Sequence, residues 1–164
     1  MPCDDAEDPL LRQLPSPPVP RGDYRPAVTH AGLLFCAGMT PRIDGVLHHR
    51  GRVGADLTVE EAREAAAIAV GNALSAALAA LASGQCLDRV LRLTVYVSAA
   101  PGFTEHTAVA DGASARLREL LGERGAAVRS AVGVASLPGG ACVELELTCA
   151  VRDGRTPAGG PELP

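Results

Sequence analysis

Three charged residues stand in an otherwise apolar and small-residue stretch, RSAVGVASLPGGACVELEL, residues 129–147: Arg129, Glu144 and Glu146. A planar guanidinium can give two parallel hydrogen bonds to a carboxylate, and it stays charged at any physiological pH. A glutamate can orient a water molecule and move a proton as a carbonyl or imine carbon becomes tetrahedral. An arginine and a glutamate together therefore suit the capture of a small carboxylate and the attack of water upon it. Charges on a solvated strand face are the competing explanation, stronger for Glu146 than for Glu144 or Arg129.

What is missing narrows the chemistry. All 15 basic residues are arginine, so a Schiff-base lysine is excluded, and with it pyridoxal-phosphate and lysine-aldolase chemistry. The phosphate-binding lysine of a P-loop is excluded for the same reason. His30, His48, His49 and His106 show no metal-ligand spacing, and His48-His49 reads as a loop pair, so no metal is expected. Nor does any motif ask for an organic cofactor. Five cysteines form no C-x-x-C pair, and most sit in apolar runs, where reduced thiols act as small hydrophobes. A net charge of −4, with only two tyrosines and two phenylalanines, argues against a nucleic-acid partner. MPCDDAEDPL lacks the apolar core of a secretion signal, and no run approaches the ~20 apolar residues of a membrane span. A cytoplasmic protein with no membrane partner is expected.

The elements that must position Arg129 and the glutamates read as one α+β domain in the order ββαβαββ, a mixed sheet with two helices on one face. Proline-rich stretches outside it predict flexible tails over 1–22 and 153–164, leaving 23–152 as the folded unit. Residues 26–39, PAVTHAGLLFCAGM, predict a hairpin turning at His30-Ala31-Gly32, with Leu33 to Cys36 as a buried strand. The following residues, PRIDGVLHHRGRVGADL, read as a loop with Asp44-Gly45 as a turn. Thr58 and Glu61 make a capping box, opening a helix to about Ala82 with Val70, Leu74, Leu78 and Leu81 as its stripe. Strict alternation over 90–98 predicts a strand with Leu91, Leu93, Val95 and Val97 on one face. A second helix, beginning near Pro101, carries Val109, Ala113, Leu117 and Leu120.

The closing segment reads as a hairpin about Pro138-Gly139-Gly140. Alternation groups Val132 and Val134 apart from Arg129, Ala131 and Gly133, and Val143, Leu145 and Leu147 apart from Glu144 and Glu146. With the Val and Leu faces under the helices, Arg129 and both glutamates would point away from them. In such a hairpin Arg129 lies opposite Ala150, roughly 20 Å from Glu144 at ~3.3 Å per residue. An Arg129–Glu144 site would then have to span two subunits.

At this point the chain resembles the Rid family, also called the YjgF family, from Tyr24 to Val151. The resemblance rests on the tyrosine followed by Pro-Ala-Val, on LLFCAGMTPR with its Gly38, on GRVGADLTVEEAREAA and on RSAVGVASLPGGACVELEL. The long GRVGADLTVEE and VADGAS stretches are similar to a less characterised branch. The resemblance implies a chorismate-mutase-like fold, a homotrimer whose sheets join in a central β-barrel, and ligand clefts between subunits. It implies hydrolysis of reactive 2-imino acids, or their enamine tautomers, to 2-keto acids and ammonia. By the same token Arg129 would grip the substrate carboxylate and Glu144 would serve the attacking water. Tyr24 would reach the cleft of a neighbouring chain, Gly38 would allow close approach, and Ala131 would offer its backbone carbonyl. The chain departs from the archetypal deaminases, with Ala37 for serine, Ala131 for cysteine and Asp111 for asparagine. A carboxylate at Asp111 facing the cleft would repel an anionic substrate.

The leading expectation is thus an imine or enamine hydrolase, or a close chemical relative acting on a small carboxylate. The alternatives are a non-catalytic trimer that binds small carboxylates and a specialised biosynthetic enzyme on the same fold. Ribonuclease activity, sometimes attached to this family, is disfavoured by the acidic charge and the lack of lysine.

Overall fold

The structure, a computed structural model, describes residues 11–154. Its strands are β1 (Ala27–His30), β2 (Leu33–Cys36), β3 (Arg42–Ile43), β4 (Val46–Leu47), β5 (Gln85–Ser98), β6 (Val128–Val134) and β7 (Val143–Asp153). Two helices, α1 (Val59–Ala79) and α2 (His106–Leu121), complete the expected α+β mixture. The main sheet runs β1-β2-β7-β5-β6, antiparallel except for the parallel pair β5–β6. Among the described residues no helix is long and apolar enough to cross a membrane.

Local chemistry explains most element boundaries. The Thr58 Oγ1 accepts from the Glu61 backbone N–H at 3.2 Å, and Glu61 Oε2 accepts from the Thr58 N–H at 2.8 Å, closing the capping box at the start of α1. Ala31 and Gly32, with φ of 49° and 76°, form the predicted β1–β2 turn. Asp44 and Gly45 likewise have positive φ, and what reads as a plain loop is the small two-stranded ribbon β3–β4 around them. The second helix starts at His106 rather than near Pro101 and stops at Gly122, whose φ is 58°.

The core lies between the two helices and one sheet face. Alanines dominate the buried side of α1, which lets the helices and sheet approach closely. A side chain at Gly112 of α2 would overlap the backbone carbonyl of Arg63 on α1. Leu93, Val95 and Val97 are buried as expected, but Leu91 is 37% exposed and Val90 takes its place in the core. The register with β7 shifts between Val90 and Arg92, and that bulge reverses the alternation ahead of it. In β2 only Leu34 and Cys36 are buried, whereas Phe35 is exposed on the outer face.

The largest correction concerns the closing hairpin. Residues 138–140 do turn, but β6 and β7 do not pair; β5 lies between them. The segment β5-α2-β6 is a parallel crossover through a helix, and β6 becomes the edge of the sheet. Face assignment changes with the pairing. Arg129 pairs with Leu93, Ala131 with Val95 and Gly133 with Val97, so these three share the helix side. Val132 pairs with Tyr96 on the outer side and is 42% exposed. Small residues lie under α2 because the helix crosses the edge strand closely there. The valines of β6 face outward, the reverse of what alternation suggested.

Candidate functional site

Two clusters hold the residues singled out by their chemistry, one on each face of the sheet. On the helix side, Arg129 of β6 reaches α2. Its Nη1 donates to Asp111 Oδ1 and to Ser114 Oγ, both at 2.8 Å. Asp111 and Ser114 are three residues apart on α2 and therefore neighbours on one helix surface. The Arg129 side chain is 20% exposed and that of Asp111 50% exposed. Neither Nε nor Nη2 of Arg129 has a protein acceptor among the described residues. Farther along β6, His106 lies so close over Gly133 that a Cβ there would overlap its Nε2, and Phe103 meets the imidazole edge-on at 5.1 Å. Ala131 stands between Arg129 and Gly133 on the same face.

The second cluster sits on the outer face. Glu144 pairs with Tyr96, and Glu146 with Thr94. Tyr96 donates its hydroxyl to Glu146 Oε1 at 3.2 Å. Glu144 lies across Gly38, where a Cβ would overlap its carboxylate; only glycine leaves that space. Burial, and next the neighbouring charge of Glu146, push the Glu144 carboxyl above its ordinary pKa. Burial and the adjacent Glu146 likewise raise the Tyr96 phenol. A carboxylate so placed is a stronger proton acceptor than an exposed one.

Of the residues the sequence pointed to, the structure brings Arg129 together with Asp111, and Glu144 with Gly38. It does not bring Arg129 to Glu144. Their side chains leave opposite faces, which corrects the expectation that both point away from the helices. Through the pairs Arg129–Leu93–Leu147, their Cα atoms lie two strands and three residues apart. That is about 14 Å, from ~4.8 Å between strands and ~3.3 Å along one. The hairpin figure of roughly 20 Å was too long, but the separation stands. Tyr24 is 49% exposed, beside Gly22. Asp111 accepts from the Arg129 guanidinium and sits beside it as its counter-ion. Ser114, His106 and the Tyr96–Glu146 pair were not legible as site residues. A serine three positions after Asp111 was the one available signal, and it needed the strand pairing to gain meaning.

The cysteines among the described residues offer no nucleophile. Burial pushes Cys142 up to about 11 and Cys149 up to about 12, and raises Cys36 further still, keeping these thiols protonated. Cys86 is disulfide-bonded, which departs from the expectation of reduced thiols throughout. Among the described residues no three His, Cys, Asp or Glu side chains gather as a metal site would require.

The family model described as Endoribonuclease L-PSP matches residues 15–151. The chain belongs to this family, the Rid (YjgF) family of the sequence comparison. It is 38% identical to Protein TCP17 of Trypanosoma cruzi over 135 residues, 82% of this chain and 84% of that protein. The crystal structure of Atu1372 from Agrobacterium tumefaciens, a protein of unknown function, superposes with a TM-score of 0.79 at 32% identity. That match covers 92% of this chain and 95% of the other. A structure described as a putative endoribonuclease from Shewanella oneidensis gives 0.77 at 28% identity, covering 84% and 91%.

Proposed function

We propose that this Rid-family protein hydrolyses small 2-imino or enamine acids to 2-keto acids and ammonia, in a cleft completed when copies assemble as a homotrimer. The observation that carries the reading is the half-used guanidinium of Arg129. Asp111 and Ser114 hold Nη1, leaving the Nε and Nη2 donors together for a carboxylate approaching from the sheet edge. The family resemblance assigns the same residue to the same task.

Water adds to the carbon of the protonated imine as Glu144 takes the proton released. Glu144 then returns it to nitrogen, and the amino alcohol expels ammonia as its hydroxyl gives a proton back to Glu144 and the C=O forms. Such a reaction needs only an oriented anion, a placed water and a proton acceptor. Because Arg129 and Glu144 leave opposite faces of one sheet, a shared site requires a second chain. The outer face suits that role, since Val28, Phe35, Val128 and Val132 are all exposed there. Closing three such faces into a barrel would bury them and set the edge strand β6 of one subunit beside a neighbour.

The test is ammonia and keto-acid release from imines generated in situ by an amino-acid oxidase. Arg129→Ala should lower kcat/KM on the order of 100-fold, the loss of two charge-assisted bonds. No acceleration over buffer, or an unimpaired variant, would overturn the reading. One observation favours a second reading, binding without turnover. The ion pair with Asp111 offsets the charge an anionic substrate would feel, and tight keto-acid binding with no hydrolysis is its signature.

A further inference from the structure

Away from both clusters, a cavity of about 390 Å³ lies between residues 15–20, the β3–β4 turn and α1. Its wall on one side is Pro15, Pro17, Pro18, Val19 and Pro20, anchored where Ser75 Oγ donates to the Pro15 carbonyl at 2.6 Å. The opposite wall is polar. Arg21 Nη2 and Arg42 Nη1 both donate to the Gly45 carbonyl, at 2.7 and 3.0 Å, so two guanidiniums converge on one point. No carboxylate among the described residues lies within 4.0 Å of either. Burial, then the charges of Arg21 and Arg50, lower the Arg42 pKa, as expected of cations held together without a counter-ion.

Two acceptors complete this wall. Asp44, in the turn between Arg42 and Gly45 with a φ of 50°, is exposed and lines the cavity. Asn72 of α1 is only 5% exposed, and its Nδ2 donates to the Thr40 and Arg42 carbonyls at 3.1 and 2.9 Å. Those two acceptors fix which end of the amide is nitrogen. The Oδ1 then has no protein donor among the described residues, although Asn72 is buried and is one of the residues lining the cavity. Buried polar atoms are nearly always paired, so an orphan acceptor beside unpaired cations marks a place for a ligand bearing both an anion and a donor.

We propose that this cavity binds a small zwitterion, an α-amino acid. Its carboxylate lies on Arg21 and Arg42, its ammonium on Asp44 and Asn72 Oδ1, and its apolar side chain against the proline wall. The volume falls within the ordinary range for small-molecule sites, about 300–1,000 Å³. An α-amino acid carries its two charged groups on one carbon, which suits a turn that presents Arg42 and Asp44 two residues apart.

Calorimetric titration of the full-length protein with L-leucine, leucinamide and 4-methylpentanoate tests this. Leucine should bind, and deleting either charged end of the ligand should weaken binding by at least about tenfold. Arg21→Gln and Asp44→Asn, both at exposed positions, should each weaken leucine by a similar factor, whereas Arg129→Ala should leave it unchanged. Circular dichroism of each variant shows that it remains folded. No heat with leucine, 4-methylpentanoate binding as tightly as leucine, or loss confined to Arg129→Ala would each overturn the proposal. The last outcome would place the amino acid in the Arg129 cleft instead.

Discussion

The two faces of the sheet handle charge in opposite ways. On the helix side, Arg129 is paired with a carboxylate and a hydroxyl, and its position is over-determined. On the outer side, Glu144 and Glu146 face the same direction with no cation among the described residues bonded to either, and burial and mutual repulsion raise the Glu144 pKa. One face holds a charge still beside its counter-ion, with donors to spare; the other holds a charge that burial and repulsion disfavour. Proton-transfer groups are commonly found in the second condition and anchoring groups in the first. In the proposed reaction that difference is the reason for casting Glu144 as the proton acceptor and Arg129 as the anchor.

The strongest way to break that contrast is Glu144→Gln. If Glu144 is the proton acceptor, kcat for imine hydrolysis should fall by about 10²–10⁴-fold. Stability should move the other way. A raised native pKa means the folded chain holds this proton more tightly than the unfolded one. The contribution of Glu144 to stability thus declines as pH rises from the ordinary glutamate pKa through the raised value. Thermal melts should show Glu144→Gln more stable than the parent at about pH 7 and equal to it near pH 3. A destabilised variant at neutral pH would mean the carboxylate has a partner the cluster does not reveal.

Gly38→Ala sharpens the comparison next. The new methyl would overlap the Glu144 carboxylate, the free end of a flexible side chain, so the chain can swing aside. Activity should drop roughly tenfold, since a displacement of about 1 Å can cost that and more. The melting temperature should hardly change. Gly112→Ala is the control: there the obstacle is the rigid Arg63 backbone, and about 1–3 kcal/mol of stability should be lost. Equal stability losses in the two variants would show that Glu144 is not free to move.

The smallest effect is expected from Asp111→Asn, which keeps the Oδ1 acceptor for Arg129 and removes its charge. An anionic substrate should then bind a few-fold more tightly, lowering KM with kcat nearly unchanged, and added salt should shrink the gain. A KM that rises instead would show that Asp111 orients Arg129 through its charge rather than through the hydrogen bond.

Much of the architecture was legible because it is encoded locally. The Thr58–Glu61 capping box, the Ala31-Gly32 and Asp44-Gly45 turns and the apolar row Leu93, Val95, Val97 depend on residues a few positions apart. The closing segment was misread for the complementary reason. A turn at Pro138-Gly139-Gly140 says that the chain reverses there, not which strands pair on either side. Strand partners are chosen over long range, and here α2 carries the chain from β5 to a parallel β6. One changed pairing moved Arg129 to the other face of the sheet, because side-chain direction follows the pairing and its alternation.

The amino-acid sequence by itself determined the α+β class, the family, the start of α1 and the identity of the chemically capable residues. These rest on residue type, short-range spacing and motif order, all of which are linear properties. Only the tertiary structure decided which of those residues meet: Arg129 with Asp111 and Ser114, Glu144 with Gly38, and Arg21 with Arg42 over the Gly45 carbonyl. Contacts of that kind depend on strand order and on how closely a helix crosses an edge strand. Those are set by the packing of the whole core, not by any one segment.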